Sequence, residues 1–295
     1  MKVRKSVIAL FLLPAGLVYL ALILVPAVWA FYFSAFDWTG FQEGMKFIGL
    51  RNYSQLFLDP VFWISVKNTL FILAVGGVFI FVLAFLLTML INSGVRGKKF
   101  FRAMIFLPNV VATVALTTLW GFMYNPVFGL FQGFFKLLGL TQLSQFIWTS
   151  ADHIFWAVLV PIIWINVGFQ LVLLMAGVDK IPHELFEAAI LDGASQFQVF
   201  IRVTIPMIWD VITVAFVLWG ISALKMFEFP YAFNGRMVIP QVYTIGIYLY
   251  VEGFGAREPV YRLGYATAIG VLLLVSVVIT VGLIRWLARR ENITY

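Results

Sequence analysis

The chain has 295 residues, 63% of them hydrophobic and 11% charged, with a formal net charge of +7. Its mean hydropathy of +1.00 excludes a water-soluble globular domain, which would need far more polar surface. The absence of cysteine excludes disulfides, thiolate catalysis and thiolate metal sites.

Six apolar runs, at 7–33, 67–91, 103–124, 153–177, 205–227 and 264–288, are long enough to cross a bilayer as helices. The first follows Met1-Lys-Val-Arg-Lys, a basic start like that of a signal peptide. Its apolar run exceeds the ~7–15 residues of a signal core, so it is expected to remain as a span. With the N-terminus inside, twelve lysines and arginines fall on the cytoplasmic side and seven outside. The inner set is Lys2, Arg4, Lys5, Arg96, Lys98, Lys99, Arg102, Lys180, Arg202, Arg285, Arg289 and Arg290. The outer set is Lys46, Arg51, Lys67, Lys136, Arg236, Arg257 and Arg262, with Lys225 near a helix end. This bias predicts that both termini are cytoplasmic and that 34–66, 125–152 and 228–263 are external. The positive charge is therefore a topology signal, and nucleic acid is not an expected partner. Trp38, Trp63, Trp120, Tyr124, Trp148 and Trp286 mark span boundaries, as interfacial aromatic residues do.

Between the fourth and fifth runs lies ELFEAAILDGASQFQVFIRVTIP, residues 184–206, which is patterned quite differently. Pro182 suits the start of a helix, and Leu185, Phe186, Ala189 and Ile190 share one face at helical spacing. Asp192-Gly193 predicts its end and Ser195 caps a second helix carrying Phe197, Phe200 and Ile201. Interfacial helices usually carry lysine and arginine, whereas this one carries Glu184, Glu187 and Asp192. An acidic unit with small residues Ala188, Ala189 and Ala194 suits a basic protein groove.

Glu187-Ala188-Ala189, Asp192-Gly193-Ala194, Phe200, Ile205 and Pro206 resemble the EAA loop of permease subunits of binding-protein-dependent ABC importers. Isoleucine stands before Pro206 where that family usually has leucine. The stretches LFLLPAGLVYLALILVPAVWAFYFSAFDW, FIGLRNYSQLFLDPVFWISVKNTLFI, FRAMIFLPNVVATVALTTLW and LKMFEFPYAF are similar to the carbohydrate, maltose-type branch. NGRMVIPQVYT replaces the branch's usual glycine-glycine-proline turn. The resemblance implies an all-α integral membrane fold: six transmembrane helices and a short cytoplasmic coupling helix between the fourth and fifth. It implies an N-terminal helix and external loop (1–66) and a five-helix core (67–295) containing the EAA loop (182–206).

The implied function is the permease subunit of an ATP-driven importer of a sugar or sugar-like solute, in a bacterial or archaeal plasma membrane. The implied partners are a second permease subunit in a heterodimer, two copies of a cytoplasmic ATPase, an external solute-binding protein, membrane lipid and a small-molecule solute. GVRGKK lacks the spacing of a phosphate-binding loop, so no cofactor is expected on this chain. ATP and Mg would be used by the partner ATPase. Glu184, Glu187, Ala188, Ala189, Asp192, Gly193 and Ala194 would form the ATPase-coupling surface, with Glu187 in a charge-assisted contact and Gly193 at the corner.

Polar groups inside spans point to a passage. Trp164, Asn166, Phe169 and Gln170 lie in the fourth run, and Trp219, Ser222 and Met226 in the fifth, beside Lys225 and Glu228. Amides and hydroxyls with aromatic rings suit a sugar, and Asn166 and Gln170, four apart, share a helix face. The competing reading is that these amides only bond neighbouring helices. Ser150, Asp152 and His153 are too close in sequence for a catalytic triad, and His183 lacks companions for a metal site. A secondary transporter would need broken helices and a buried ion relay, and a purely structural membrane protein would leave the EAA unit unexplained.

Overall fold

A computed structural model describes residues 5–41, 44–235, 239–256 and 260–289. Lys2, Arg4, Arg236, Arg257 and Arg290 of the charge count lie outside the described residues. The main helices are α1 (Phe11–Phe33), α2 (Arg51–Leu58), α3 (Pro60–Asn92), α4 (Lys98–Asn109), α5 (Thr113–Met123) and α6 (Leu130–Leu137). They continue with α7 (Ile154–Val178), α8 (His183–Leu191), α9 (Trp209–Leu224), α10 (Glu228–Asn234), α11 (Ile245–Phe254) and α12 (Leu263–Leu287).

Five stretches among the described residues are long and apolar enough to cross a bilayer singly: α1, α3, α7, α9 with α10, and α12. The run predicted as a single third helix over 103–124 is instead α4 and α5, bent by 93°. The cause is local. Pro108 lacks an N–H and sits in a tight turn, Leu107–Asn109, that ends α4. Asn109 Nδ2 donates to Ile165 O at 2.8 Å, which ties the bend to α7. Gly168 lets the α4 backbone in: a Cβ there would lie 2.3 Å from the Ile105 carbonyl oxygen. The second span also begins earlier than predicted, at Pro60, and the fifth breaks after Leu224. The predicted outer segments are partly helical, in α2, α6, α10 and α11.

The described residues form two compact units, 1–63 with 248–275, and 64–247 with 276–295. In the first, a two-residue antiparallel pairing sets Phe36 against Phe47 and Asp37 against Lys46. Asn52, buried, donates to Ser34 O and Phe36 O at 2.8 and 3.0 Å, which fixes the turn leaving α1. Gly264 is needed because a Cβ would lie 2.0 Å from Phe36 O. Asp59 accepts from Tyr248 Oη, from Tyr265 Oη at 3.2 Å and from Val61 N at 2.8 Å. Partial burial opposes ionisation of Asp59, but these donors prevail and hold its carboxyl below its ordinary range. Burial pushes the neighbouring Glu252 carboxyl up, against the pull of Arg262, whose Nη1 lies 2.7 Å away.

The second unit packs α3 against α7 and α9. Ala84, Leu174, Val178, Ile208 and Ile212 form one buried cluster, and Ile91, Leu171 and Met175 another. A π-helical stretch at Ile72–Gly76 interrupts the bonding register of α3. Trp219 Nε1 donates to Leu73 O there at 3.0 Å. Gly77 adjoins the indole: a Cβ would lie 2.5 Å from Trp219 Nε1. Just before that stretch of α3, Asn68 Nδ2 donates to Gln241 O and Tyr243 O at 2.9 and 3.0 Å.

Candidate functional site: a polar cavity and the acidic helical corner

The first candidate is a cavity of about 440 Å³ in the second unit, where the α4–α5 bend faces α7 and the end of α9. Asn166, Ser222 and Met226 line it, together with Asn109, Thr113, Lys225 and Glu228. Its size lies within the roughly 300–1,000 Å³ of small-molecule sites. Asn166 gives one amide hydrogen to Ile162 O of its own helix at 2.8 Å. An asparagine amide has a carbonyl and a second amide hydrogen beyond that bond. Thr113 Oγ1 lies 3.5 Å from Glu228 Oε2.

The other residues singled out in the sequence do not line this cavity. Gln170 is 1% exposed, and its Oε1 has no partner among the described residues. The face shared by Asn166 and Gln170 therefore divides, with only Asn166 reaching the cavity. Trp164 meets Trp120 edge-on at 5.8 Å, and Phe169 is exposed elsewhere. Trp219 is buried in the contact with α3. Asn109 and Thr113 were not singled out. Their signal was a polar pair flanking a proline-broken apolar run, legible only once the bend is known.

The second candidate is the corner after α7. Pro182 stands just before α8 and Glu184 lies in its first turn, where a helix favours negative charge. The helix ends as the sequence predicts. Gly193 has φ +77°. Gly193 N donates to Ile190 O and Ala194 N to Ala189 O, both at 3.0 Å. These two bonds close the orphan carbonyls of α8 and give Ala189 and Ala194 a backbone role beyond their small size. Ser195 then caps the next turn reciprocally: its Oγ accepts from Gln198 N at 3.3 Å, and its own N donates to Gln198 Oε1 at 2.8 Å. Glu187 is exposed and lies 3.3 Å from His183 Nδ1, one turn before it. Asp192, Leu191 and Phe197 are exposed on the same corner.

Residues 58–293 match the family described as the binding-protein-dependent transport system inner membrane component. The chain belongs to that family. It is a membrane-spanning permease subunit of an ABC importer, and ATP hydrolysis lies in a separate subunit. The permease is 32% identical to the diacetylchitobiose uptake system permease protein of Streptomyces coelicolor, over 87% of this chain and 74% of that one. It is 31% identical to the trehalose/maltose transport system permease protein of Thermococcus litoralis, over 77% and 76% of the two chains. Its fold matches a chain of the bacterial alginate ABC transporter solved with an alginate pentasaccharide-bound periplasmic protein. That match has a TM-score of 0.82 at 23% identity, covering 97% of this permease and 95% of that chain.

Proposed function

We propose that this permease imports a sugar or sugar-like solute, and that the cavity holding Asn166, Ser222 and Met226 is part of the translocation path. The observation that carries this is their convergence on one polar cavity with Asn109, Thr113, Lys225 and Glu228. Relatives whose names specify diacetylchitobiose and trehalose/maltose support the solute class. Trp164, Phe169, Gln170 and Trp219 serve the path by supporting its walls. The chain crosses the membrane six times, with α4 and α5 as one broken span and both termini cytoplasmic. Residues 67–295 form the transport core, and 1–66 an added span with its external loop.

In this reading α8 is the coupling helix. Glu184, Glu187 and Asp192 present negative charge, and Ala188, Ala189, Gly193 and Ala194 the tight corner, to a groove on a cytoplasmic ATPase. Two ATPase copies using ATP and Mg, a second permease subunit and an external binding protein complete the importer. ATP-driven closure of the ATPases moves the corner, and the cavity opens alternately to each side.

The test is uptake of a disaccharide panel by reconstituted importer carrying Asn166→Leu or Ser222→Leu, with melting temperature measured in parallel. Transport should fall at least tenfold, unequally among sugars, with little loss of stability. A lowered melting temperature with unaltered kinetics per folded complex would assign these residues to packing and place the solute site on the partner permease.

A further inference from the structure

A second cavity in the same unit, about 460 Å³, opens where the ends of α3 and α7 meet α8 and the turns leading into α9. Its lining is mixed. Met89, Ile181, Phe186, Val199 and Phe200 are apolar. Asn92, Ser93, Gln196 and Lys98 are polar or basic.

Thr204 is the informative residue. It lines the cavity, is 1% exposed, and its Oγ1 has no partner among the described residues. Thr69, Thr88 and Thr213 each satisfy their hydroxyl on the carbonyl four residues earlier, at 2.8, 2.7 and 3.0 Å. Thr204 closes a π-helical stretch, Phe200–Thr204, and makes no such bond. A buried hydroxyl left open on a cavity is costly unless something there completes it.

The charge is equally specific. Asp179 also lines the cavity, but both its oxygens are taken by Arg102, at 2.7 and 2.9 Å. Lys98 forms no ion pair within 4 Å among the described residues, so no carboxylate is in direct contact with its ammonium. It follows shortly after Asn92, the end of one apolar span, and shares the cavity with Val178, the end of another, and such ends are expected near a bilayer surface. Arg96 and Lys99 stand beside it in sequence.

From these features we infer that this cavity binds an anionic phospholipid. The phosphate sits against Lys98, with Thr204 Oγ1 donating to a head-group or ester oxygen, and an acyl chain lies along the apolar lining. A basic pocket between spans at the membrane surface is suited to an acidic head group. An anion without a tail would leave the apolar lining unused. Because α8 forms one wall, a lipid here touches the element assigned above to ATPase coupling. That assignment, and the leaflet concerned, rest on the proposed function, whereas the binding does not.

The test uses the purified importer in phosphatidylcholine nanodiscs containing phosphatidylglycerol, before and after the ATPase is stripped. Native mass spectrometry counts the acidic lipid that survives delipidation. Wild type should keep it in both forms, and Lys98→Arg should too. Lys98→Gln should reduce retention at least fivefold, and Thr204→Val, which breaks no internal bond, severalfold. Val199→Trp, which adds bulk to the apolar lining, should abolish it, while Lys99→Gln, outside the cavity, should change nothing. Equal retention by wild type, Lys98→Gln and Thr204→Val overturns the inference. So does displacement by millimolar inorganic phosphate, which would make the ligand a free anion. Retention only after the ATPase is stripped would give the cavity to the partner protein and also overturns it. Retention is read without transport, so a failed sugar-import reading would leave this result standing.

Discussion

Arg102 holds Asp179 with two parallel hydrogen bonds, of 2.7 and 2.9 Å, and so joins α4 to the turn that follows α7. The residues are 77 apart in sequence. The pair fixes the start of the acidic corner relative to the bent α4–α5 pair that lines the polar cavity.

The hydrogen bond from Arg102 holds the Asp179 carboxyl below its usual range, against partial burial and with help from the charges of Arg102 and Lys98. A lowered acid pKa gives stability that is present above the ordinary value near 4 and is lost as pH falls through the lowered value. Asp179 is half exposed, so the pair is worth only about 1 kcal/mol. Asp179→Asn should therefore melt earlier than wild type at pH 6, and the difference should vanish in strong acid. A difference that persists unchanged at acid pH would show that the effect is not electrostatic.

Gly168 admits the Ile105 carbonyl, so Gly168→Val must push α4 off α7. Overpacking of this kind costs roughly 1–3 kcal/mol, and more where backbone has to move. The expected result is poor recovery of folded permease and, in what folds, impaired uptake. Thermal melts of Gly168→Ala and Gly168→Val check it, with Gly121→Ala, which meets nothing within 4 Å, as the comparison.

Gly193 is open to solvent, and a Cβ there meets no atom within 4 Å, so space does not require glycine. Its φ of +77° does. Gly193→Val should leave spans and assembly of the membrane part intact but distort the corner, costing on the order of 1–2 kcal/mol locally. ATPase recovered with the permease should fall, while Gly193→Asn, which tolerates this conformation better, should retain more. Full ATPase retention by Gly193→Val would remove the corner from the coupling assignment.

In the proposed topology, which rests on the charge bias, α8 lies inside and α2 outside. Leu191 and Ser54 are both exposed, and the chain has no native cysteine to interfere. An impermeant thiol reagent should label Ser54→Cys but not Leu191→Cys in cells freed of their outer envelope. The reverse pattern would invert the topology.

The spans and the corner were legible because each rests on local chemistry. Gly193 needs a left-handed conformation, Ser195 needs Gln198 three residues on, and a bilayer needs a long apolar run. What failed to show in the sequence depends on partners far along the chain. The bend after Pro108 is set by Ile165 and Gly168, more than fifty residues away, so 103–124 read as one straight span. Asn166 and Gln170 obey helical spacing, yet neighbouring helices decide that one meets a cavity and the other is buried. Trp219, chosen as an aromatic ring for a sugar, is held by a carbonyl of α3 that lies within a local π-helical stretch.

The Trp219 contact limits how the proposed passage can work. Its indole N–H is committed to Leu73 O, and its ring lies where only a glycine at position 77 leaves room. Sliding α9 along α3 would break that bond and, in the direction of Val78, drive the ring into a side chain. The two helices are thus indexed to one another like a key in its slot. Any rearrangement that exposes the polar cavity first to one side and then to the other must carry them together, leaving the necessary give to the α4–α5 bend and the break after Leu224.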